Sequence, residues 1–171
     1  MSGFNLTLIV CCKKISRKSK FFSDLNFNKE VKFCSLINNE FSICKELNIK
    51  GGNIYIHDNF FIEYDGEMKN YGYSELFWEE VLVKIDKPQC SINISSMSRN
   101  FGSFSVILKH VEQLLLENYH FFLITNNLSD EIVKKFEKTN ELLNIEGDYF
   151  LISEKIINYF ISCEILDFME Y

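Results

Sequence analysis

The spacing of apolar residues changes along the chain, from strand-like in the first half to helical in the last third. Uninterrupted apolar runs or period-two alternation, bounded by turn residues, indicate strands. These strands are predicted at 4–11, 31–37, 41–44, 53–57 and 60–64. The last two flank Asp58-Asn59, a pair that tolerates the positive φ angles of a tight turn, so a β-hairpin is expected there.

A second pair of strands is predicted from alternation. Val81, Val83 and Ile85 alternate with Glu80, Lys84 and Asp86, which predicts a strand after a short helical turn at 74–79. A turn at 87–89 then leads to a strand in which Ile92 and Ile94 alternate with polar residues. Period-two alternation predicts one buried and one solvated face for both strands.

The last third has helical spacing. Between Ser103 and Asn118 the apolar residues recur at intervals of three and four, which places them on one helical stripe. A buried strand is predicted at 121–125, followed by a helix with Ser129 as its N-cap that ends near Asn144 and Gly147. The tail is predicted as a strand, a short helix from Ser153 and a strand at 164–168.

Together these elements predict an α+β fold in one domain spanning 1–171. The predicted sheet is mainly antiparallel or mixed and is fed mostly by the first half, and two or three helices from the C-terminal half pack on one face. A chain of 171 residues can bury a core without disulfides or metals. The six cysteines mostly interrupt apolar runs, so reduced, buried thiols of a cytoplasmic protein are expected.

Charge is divided unevenly between the two ends of the chain. Residues 1–50 contain nine Lys and Arg against four Asp and Glu, whereas residues 101–171 contain five against twelve. The net charge of −6 and the lack of an RNA- or DNA-binding motif argue against a nucleic-acid partner. The apolar start is not preceded by basic residues, and no apolar run approaches membrane-spanning length, so no signal peptide and no membrane association are expected.

Catalytic and metal-binding motifs are not found in the sequence. His57, His110 and His120 are far apart, and none has a partner at metal-ligand spacing, so we expect no metal site and no cofactor. Cys11 and Cys12 are predicted within a strand, without the helix N-terminus that would activate a thiol. We therefore expect no enzyme. A small hydrolase with a dispersed site around Cys34, His57 or His110 is the alternative.

An acidic and aromatic stretch is the predicted binding surface. Carboxylates would steer and match a basic protein, while Tyr and Trp would bury large area at small entropic cost. The predicted partner-binding residues are Glu63, Asp65, Glu67, Tyr71, Tyr73, Glu75, Trp78 and Glu79. The alternative is that Phe77 and Trp78 belong to the core and the acids form a solvated rim.

The chain is small and acidic and has no enzyme motif, and its lack of alanine indicates an AT-rich gene. In this general character it resembles the immunity proteins of bacterial polymorphic-toxin and contact-dependent inhibition systems. The resemblance includes no motif, so it assigns no residue a role. It implies a cytoplasmic protein that binds and neutralises a cognate toxin, a basic nuclease. A regulatory or host-interaction protein is a further alternative.

Overall fold

A computed structural model of the chain defines nine strands and five helices within the residues it describes. These residues are 5–16, 18–23, 32–33, 43–44, 53–57, 60–95, 101–126, 128–145 and 149–162. The strands are β1 (Asn5–Cys11), β2 (Lys32–Phe33), β3 (Ile43–Cys44), β4 (Asn53–His57), β5 (Phe60–Tyr64), β6 (Pro88–Ser95), β7 (His120–Thr125), β8 (Leu142–Asn144) and β9 (Phe150–Ser153). The helices are α1 (Lys20–Ser23), α2 (Glu75–Lys84), α3 (Phe101–Leu116), α4 (Asp130–Phe136) and α5 (Glu154–Ser162).

Seven strands form one antiparallel sheet in the order β4-β5-β6-β1-β7-β9-β8. The predicted hairpin is present as β4 and β5, with Ile54 opposite Glu63. Strands β2 and β3 pair separately. The predicted α+β class, with an antiparallel sheet and most helices in the C-terminal half, is confirmed.

The central strand β1 is buried on both faces. Leu6, Leu8 and Val10 belong to one core cluster, and Ile9 and Cys11 belong to another on the opposite side of the sheet. Helices α3, α4 and α5 contribute to the first cluster, and we call that side the three-helix face. Helix α2 contributes to the second cluster, on the side that we call the α2 face. The predicted packing of the C-terminal helices on one face is confirmed.

The helical stripe predicted after Ser103 packs on the three-helix face. Ile107, Val111 and Leu114 are buried there, at intervals of three and four in α3. In α5, Ile156 and Phe160 are buried one turn apart. Both helices therefore present the apolar side that their spacing predicts.

The strand predicted around Val81 is wrong, because residues 75–84 form α2. Ser74 caps the helix by accepting a hydrogen bond from the backbone N–H of Phe77 at 3.2 Å. The apolar positions are ambiguous in sequence, since Val81 and Ile85 are two apart from Val83 but four apart from each other. Phe77 and Val81 in the helix and Ile85, which caps its C-terminus, are buried in line, whereas Val83 is 87% exposed.

The prediction of one solvated face for β6 is also wrong. Ser91 and Asn93 are buried together with Ile92 and Ile94. The segment that connects β5 to α2 covers this face, and its Lys69 N–H donates a hydrogen bond to the Ser91 hydroxyl at 2.7 Å. Buried polar side chains are tolerated here because they have hydrogen-bond partners.

Helix α4 begins as predicted but ends early. The Ser129 hydroxyl accepts from the N–H of Ile132, and Leu128 and Val133 both pack in the three-helix core. The helix ends at Phe136, not near Asn144, because Leu142–Asn144 pairs with β9 as the edge strand β8. Gly147 lies outside the described residues, as do the turn at Asp58-Asn59, most of the segments predicted as strands at 31–37 and 41–44, and the strand predicted at 164–168.

Among the described helices, none is both long enough and apolar enough to cross a bilayer.

Two valines on α2 test the helix directly. We expect Val81→Ala to lower the free energy of unfolding by about 2 kcal/mol, because a fully buried side chain leaves a cavity. Val83→Ala should change it by less than about 0.5 kcal/mol, as is usual for an exposed position. Urea denaturation monitored by circular dichroism measures both. Equal losses would contradict the helix, because in a strand both valines would lie on the same face.

Candidate functional site

The predicted binding stretch begins at Glu63 near the end of β5 and continues through the segment that connects β5 to α2. Two side chains hold this segment against β6. The Tyr71 hydroxyl lies 3.1 Å from the carbonyl oxygen of Glu63 and 3.0 Å from that of Ser91. The Ser91 hydroxyl accepts from the N–H of Lys69 at 2.7 Å. Burial raises the pKa of Tyr71, so its hydroxyl stays protonated and able to donate.

A row of polar side chains crosses three strands on the α2 face. Glu63 accepts a hydrogen bond from the Asn93 amide at 3.1 Å, and the Thr7 hydroxyl donates to the Asn93 carbonyl oxygen at 3.5 Å. Directly opposite residues of adjacent strands share a face, and these three are paired in register. The Tyr73 hydroxyl completes the row, 3.0 Å from the Thr7 hydroxyl. The Glu63 carboxylate is therefore held in place by hydrogen bonding within the fold.

Four aromatic rings cluster where α2 meets the sheet. Tyr73 stacks on Phe77 with ring centroids 4.8 Å apart, and on Trp78 at 6.1 Å. Tyr149 meets Tyr73 edge-on at 5.5 Å. Such contacts add to the apolar burial that holds α2 in place. Phe77 is core and Trp78 is half-buried beside it, so the aromatic residues of the stretch mainly fix the helix.

Two of the predicted acids have basic partners. Asp65 is 11% exposed and lies 2.5 Å from the Lys69 ammonium, and Glu67 lies 2.7 Å from that of Lys14. Burial alone would raise the pKa of Asp65, but hydrogen bonds from the Lys69 side chain and the Glu67 N–H outweigh it and lower that pKa. These carboxylates are therefore already partly neutralised.

The other predicted acids are on α2. Glu75 and Glu79 are exposed, and neither forms an ion pair with any residue that the structure describes. Glu79 lies between two exposed apolar side chains, Leu76 (76% exposed) and Val83 (87% exposed). Leu76, Glu79, Glu80 and Val83 are spaced at three, four and seven along the helix, so they share its outward side. We call these four residues the α2 stripe.

The structure thus divides the predicted site into two groups. Glu63, Tyr71, Tyr73 and Trp78 are packed or hydrogen-bonded, and Asp65 and Glu67 are ion-paired. Only Glu75 and Glu79 are exposed without a partner in the described part of the chain. Leu76 and Val83 were missed. The helical spacing of Phe77, Val81 and Ile85 could have revealed them, because it assigns their neighbours to the outward side.

A cavity of about 340 Å³ lies at the end of the sheet next to the C-terminus of α2. It is lined in part by Cys12, Lys84, His120, Phe122, Glu154 and Lys155, and we call it the strand-end cavity. His120 Nδ1 lies 2.7 Å from one carboxylate oxygen of Glu154. The other oxygen of Glu154 accepts from the backbone N–H of Phe121 at 2.9 Å. Both carboxylate oxygens are therefore fixed.

Two adjacent cysteines line this cavity in different ways. Cys11 is buried opposite His120 in the β1–β7 ladder, and burial raises the pKa of its thiol to about 12. Cys12 follows the end of β1, is exposed, and has a left-handed backbone with φ of 67°. Its N–H donates to the carbonyl of Lys87 at 2.9 Å. The expectation that Cys12 lies within the strand is therefore wrong.

The Cys and His residues suggested for a dispersed enzyme site are placed differently. His110 is buried in the core with its ring edge-on to Phe21, and the side chains of Cys34 and His57 lie outside the described residues. Within the described part of the chain, no group of three or more His, Cys, Asp or Glu side chains is arranged to hold a metal ion.

The buried polar row can be tested at Tyr73. We expect Tyr73→Phe to lower the free energy of unfolding by about 1–2 kcal/mol, because it removes a partner of the fully buried Thr7 hydroxyl. Tyr149→Phe is the matched control, since Tyr149 belongs to the same ring cluster and its hydroxyl is not bonded to Thr7. Denaturant unfolding of both variants measures the difference. If Tyr149→Phe lost more free energy of unfolding than Tyr73→Phe, the stabilising role of the Tyr73 hydroxyl would be contradicted.

The ion pair at Asp65 predicts a pH dependence of stability. A carboxyl whose pKa is lowered by folding stabilises the fold above its ordinary pKa, and this contribution is lost as the pH falls through the folded-state pKa. We expect Asp65→Asn to be less stable than the wild type at pH 7, with the difference shrinking below about pH 4. Thermal unfolding at pH 7 and pH 3 measures this. If the stability difference between Asp65→Asn and the wild type grew on acidification, the prediction would be contradicted.

Comparison with known proteins leaves the site to be interpreted from its own residues. No protein-family model, no curated protein and no solved structure matches the chain.

Proposed function

We propose that the chain is a binding protein that recognises a basic protein partner through the outward side of α2. The observation that carries this proposal is the α2 stripe, where Leu76 and Val83 are exposed on either side of Glu79. An exposed leucine and valine on one helical side contribute nothing to the core of the monomer. Burying each in an interface would contribute about 1.5–3 kcal/mol.

Charge complementarity favours a cationic partner. Glu75 and Glu79 are exposed, and Glu80 is only partly neutralised by Lys84 at 3.1 Å across one turn of the helix. Carboxylates at the edge of an apolar contact accelerate association with a basic surface and reject acidic surfaces. The net charge of −6 acts in the same direction and repels nucleic-acid backbones.

The partner that fits best is a cognate toxin nuclease, and the chain is then a cytoplasmic immunity protein. A nuclease cleft is basic because it binds phosphates, so Glu75 and Glu79 can occupy phosphate positions while Leu76 and Val83 pack on the cleft rim. The resemblance in size, acidity and composition to immunity proteins supports this choice. The rigid mounting of α2, through Phe77 and Trp78, supports it as well, because a preorganised surface loses little entropy on binding.

The proposal is tested with the purified protein that the neighbouring gene encodes. We expect Glu79→Lys and Leu76→Ala each to weaken binding about tenfold or more in calorimetry, and added salt to weaken wild-type binding. Glu137→Lys is the matched control, because Glu137 is exposed at the end of α4 on the three-helix face. It should bind like the wild type.

Two results would contradict different parts of the proposal. Unchanged affinity in both α2 variants would remove the α2 stripe as the contact surface. A neighbouring gene product that neither binds this chain nor is toxic when expressed without it would remove the immunity function.

A further inference from the structure

The strand-end cavity contains the groups that thiol acyl chemistry requires. Cys12 provides an exposed thiol, and His120 provides an imidazole in the same cavity. Glu154 holds Nδ1 of that imidazole at 2.7 Å. A carboxylate can only accept, so Nδ1 donates the proton and Nε2 keeps its lone pair. This arrangement leaves Nε2 as the basic nitrogen.

The position of Cys12 follows from the strand register. Cys11 is opposite His120 at the end of the β1–β7 ladder, so Cys12 comes one residue beyond the position facing the histidine. A regular strand would direct Cys12 to the opposite side of the sheet from Cys11. The left-handed backbone at Cys12 breaks this alternation.

We propose that Cys12 is a nucleophile for small acyl esters or thioesters, with His120 as its general base and Glu154 as the positioning residue. The Cys12 thiol gives its proton to His120 Nε2, and Sγ bonds to the carbonyl carbon of the acyl donor. The bond between that carbon and the leaving group breaks, and the leaving oxygen or sulfur takes the proton from the imidazolium. The product is an S-acyl cysteine. Water, deprotonated by His120, then releases the carboxylic acid and restores the thiol.

The cavity selects the class of acyl donor. A volume of about 340 Å³ suits a small molecule and not a polypeptide segment. Phe122 provides a half-buried aromatic wall for a short acyl chain. The neighbouring Cys11 cannot replace Cys12, because its buried thiol remains protonated at neutral pH.

The probe is p-nitrophenyl acetate, an activated acetyl ester, applied to the full chain. Released p-nitrophenolate gives the rate, and mass spectrometry of peptides identifies the acetylated cysteine. We expect acetylation at Cys12, its loss in Cys12→Ser, and a rate lowered about tenfold or more in His120→Gln and Glu154→Gln. The wild-type pH–rate profile should contain a transition that His120→Gln lacks, which a purely structural role of His120 would not produce.

Glu117→Gln is the matched control for Glu154→Gln. Glu117 also accepts a backbone N–H, from Lys20 at 2.7 Å, but it does not line the cavity. It should leave the rate unchanged. If Glu154→Gln does not fold, His120→Gln alone decides, because the His120 side chain is mostly exposed. Acetylation that avoids Cys12, or an equal rate and profile in His120→Gln, would overturn the proposal.

The proposal for the acyl site and the proposal for the partner surface can be refuted independently. The variants Leu76→Ala and Glu79→Lys should be acetylated at the wild-type rate. The variant Cys12→Ser should bind the partner with wild-type affinity. Loss of both properties in one variant indicates misfolding, which circular dichroism detects and which disqualifies that variant.

Discussion

The burial of β1 on both faces is the constraint on which the rest of the structure depends. The strand is hydrogen-bonded on both edges, to β6 and β7, and its side chains alternate between two apolar clusters. Each face must be covered, because exposed apolar surface at the centre of a sheet costs about 25 cal/mol per Å². Three C-terminal helices cover one face. Helix α2 and the segment before it cover the other.

Covering the α2 face with a segment from the middle of the chain has consequences for function. The segment crosses polar positions of β1, β5 and β6. Tyr71 donates to the carbonyl oxygens of Glu63 and Ser91. The Tyr73 hydroxyl bonds the Thr7 hydroxyl, and the Lys69 N–H donates to the Ser91 hydroxyl. The aromatic residues of the stretch are therefore used in packing. What remains outward on α2 is a short row of carboxylates and aliphatic side chains, which is the surface proposed for partner binding.

The two proposed sites have different physical origins. The α2 stripe exists because a ten-residue helix has one side against the sheet and one side in solvent. The strand-end cavity exists because α2 ends at Lys84 while the ladder of β1 and β7 continues to Cys11 and His120. One proposed site is a surface for a large partner, and the other is a partly open cavity for a small molecule.

The sequence by itself determined the α+β class, the hairpin of β4 and β5, helix α3 and the N-cap at Ser129, because each depends on contacts within a few residues. Tertiary structure decided the rest. Val81, Val83 and Ile85 satisfy both a strand and a helix, and only packing of Phe77, Val81 and Ile85 on the sheet selects the helix. Leu142–Asn144 became a strand because β9 offers an open edge. More than a hundred residues separate Cys12 from both His120 and Glu154 along the chain. Only the sheet register brings the three to one cavity.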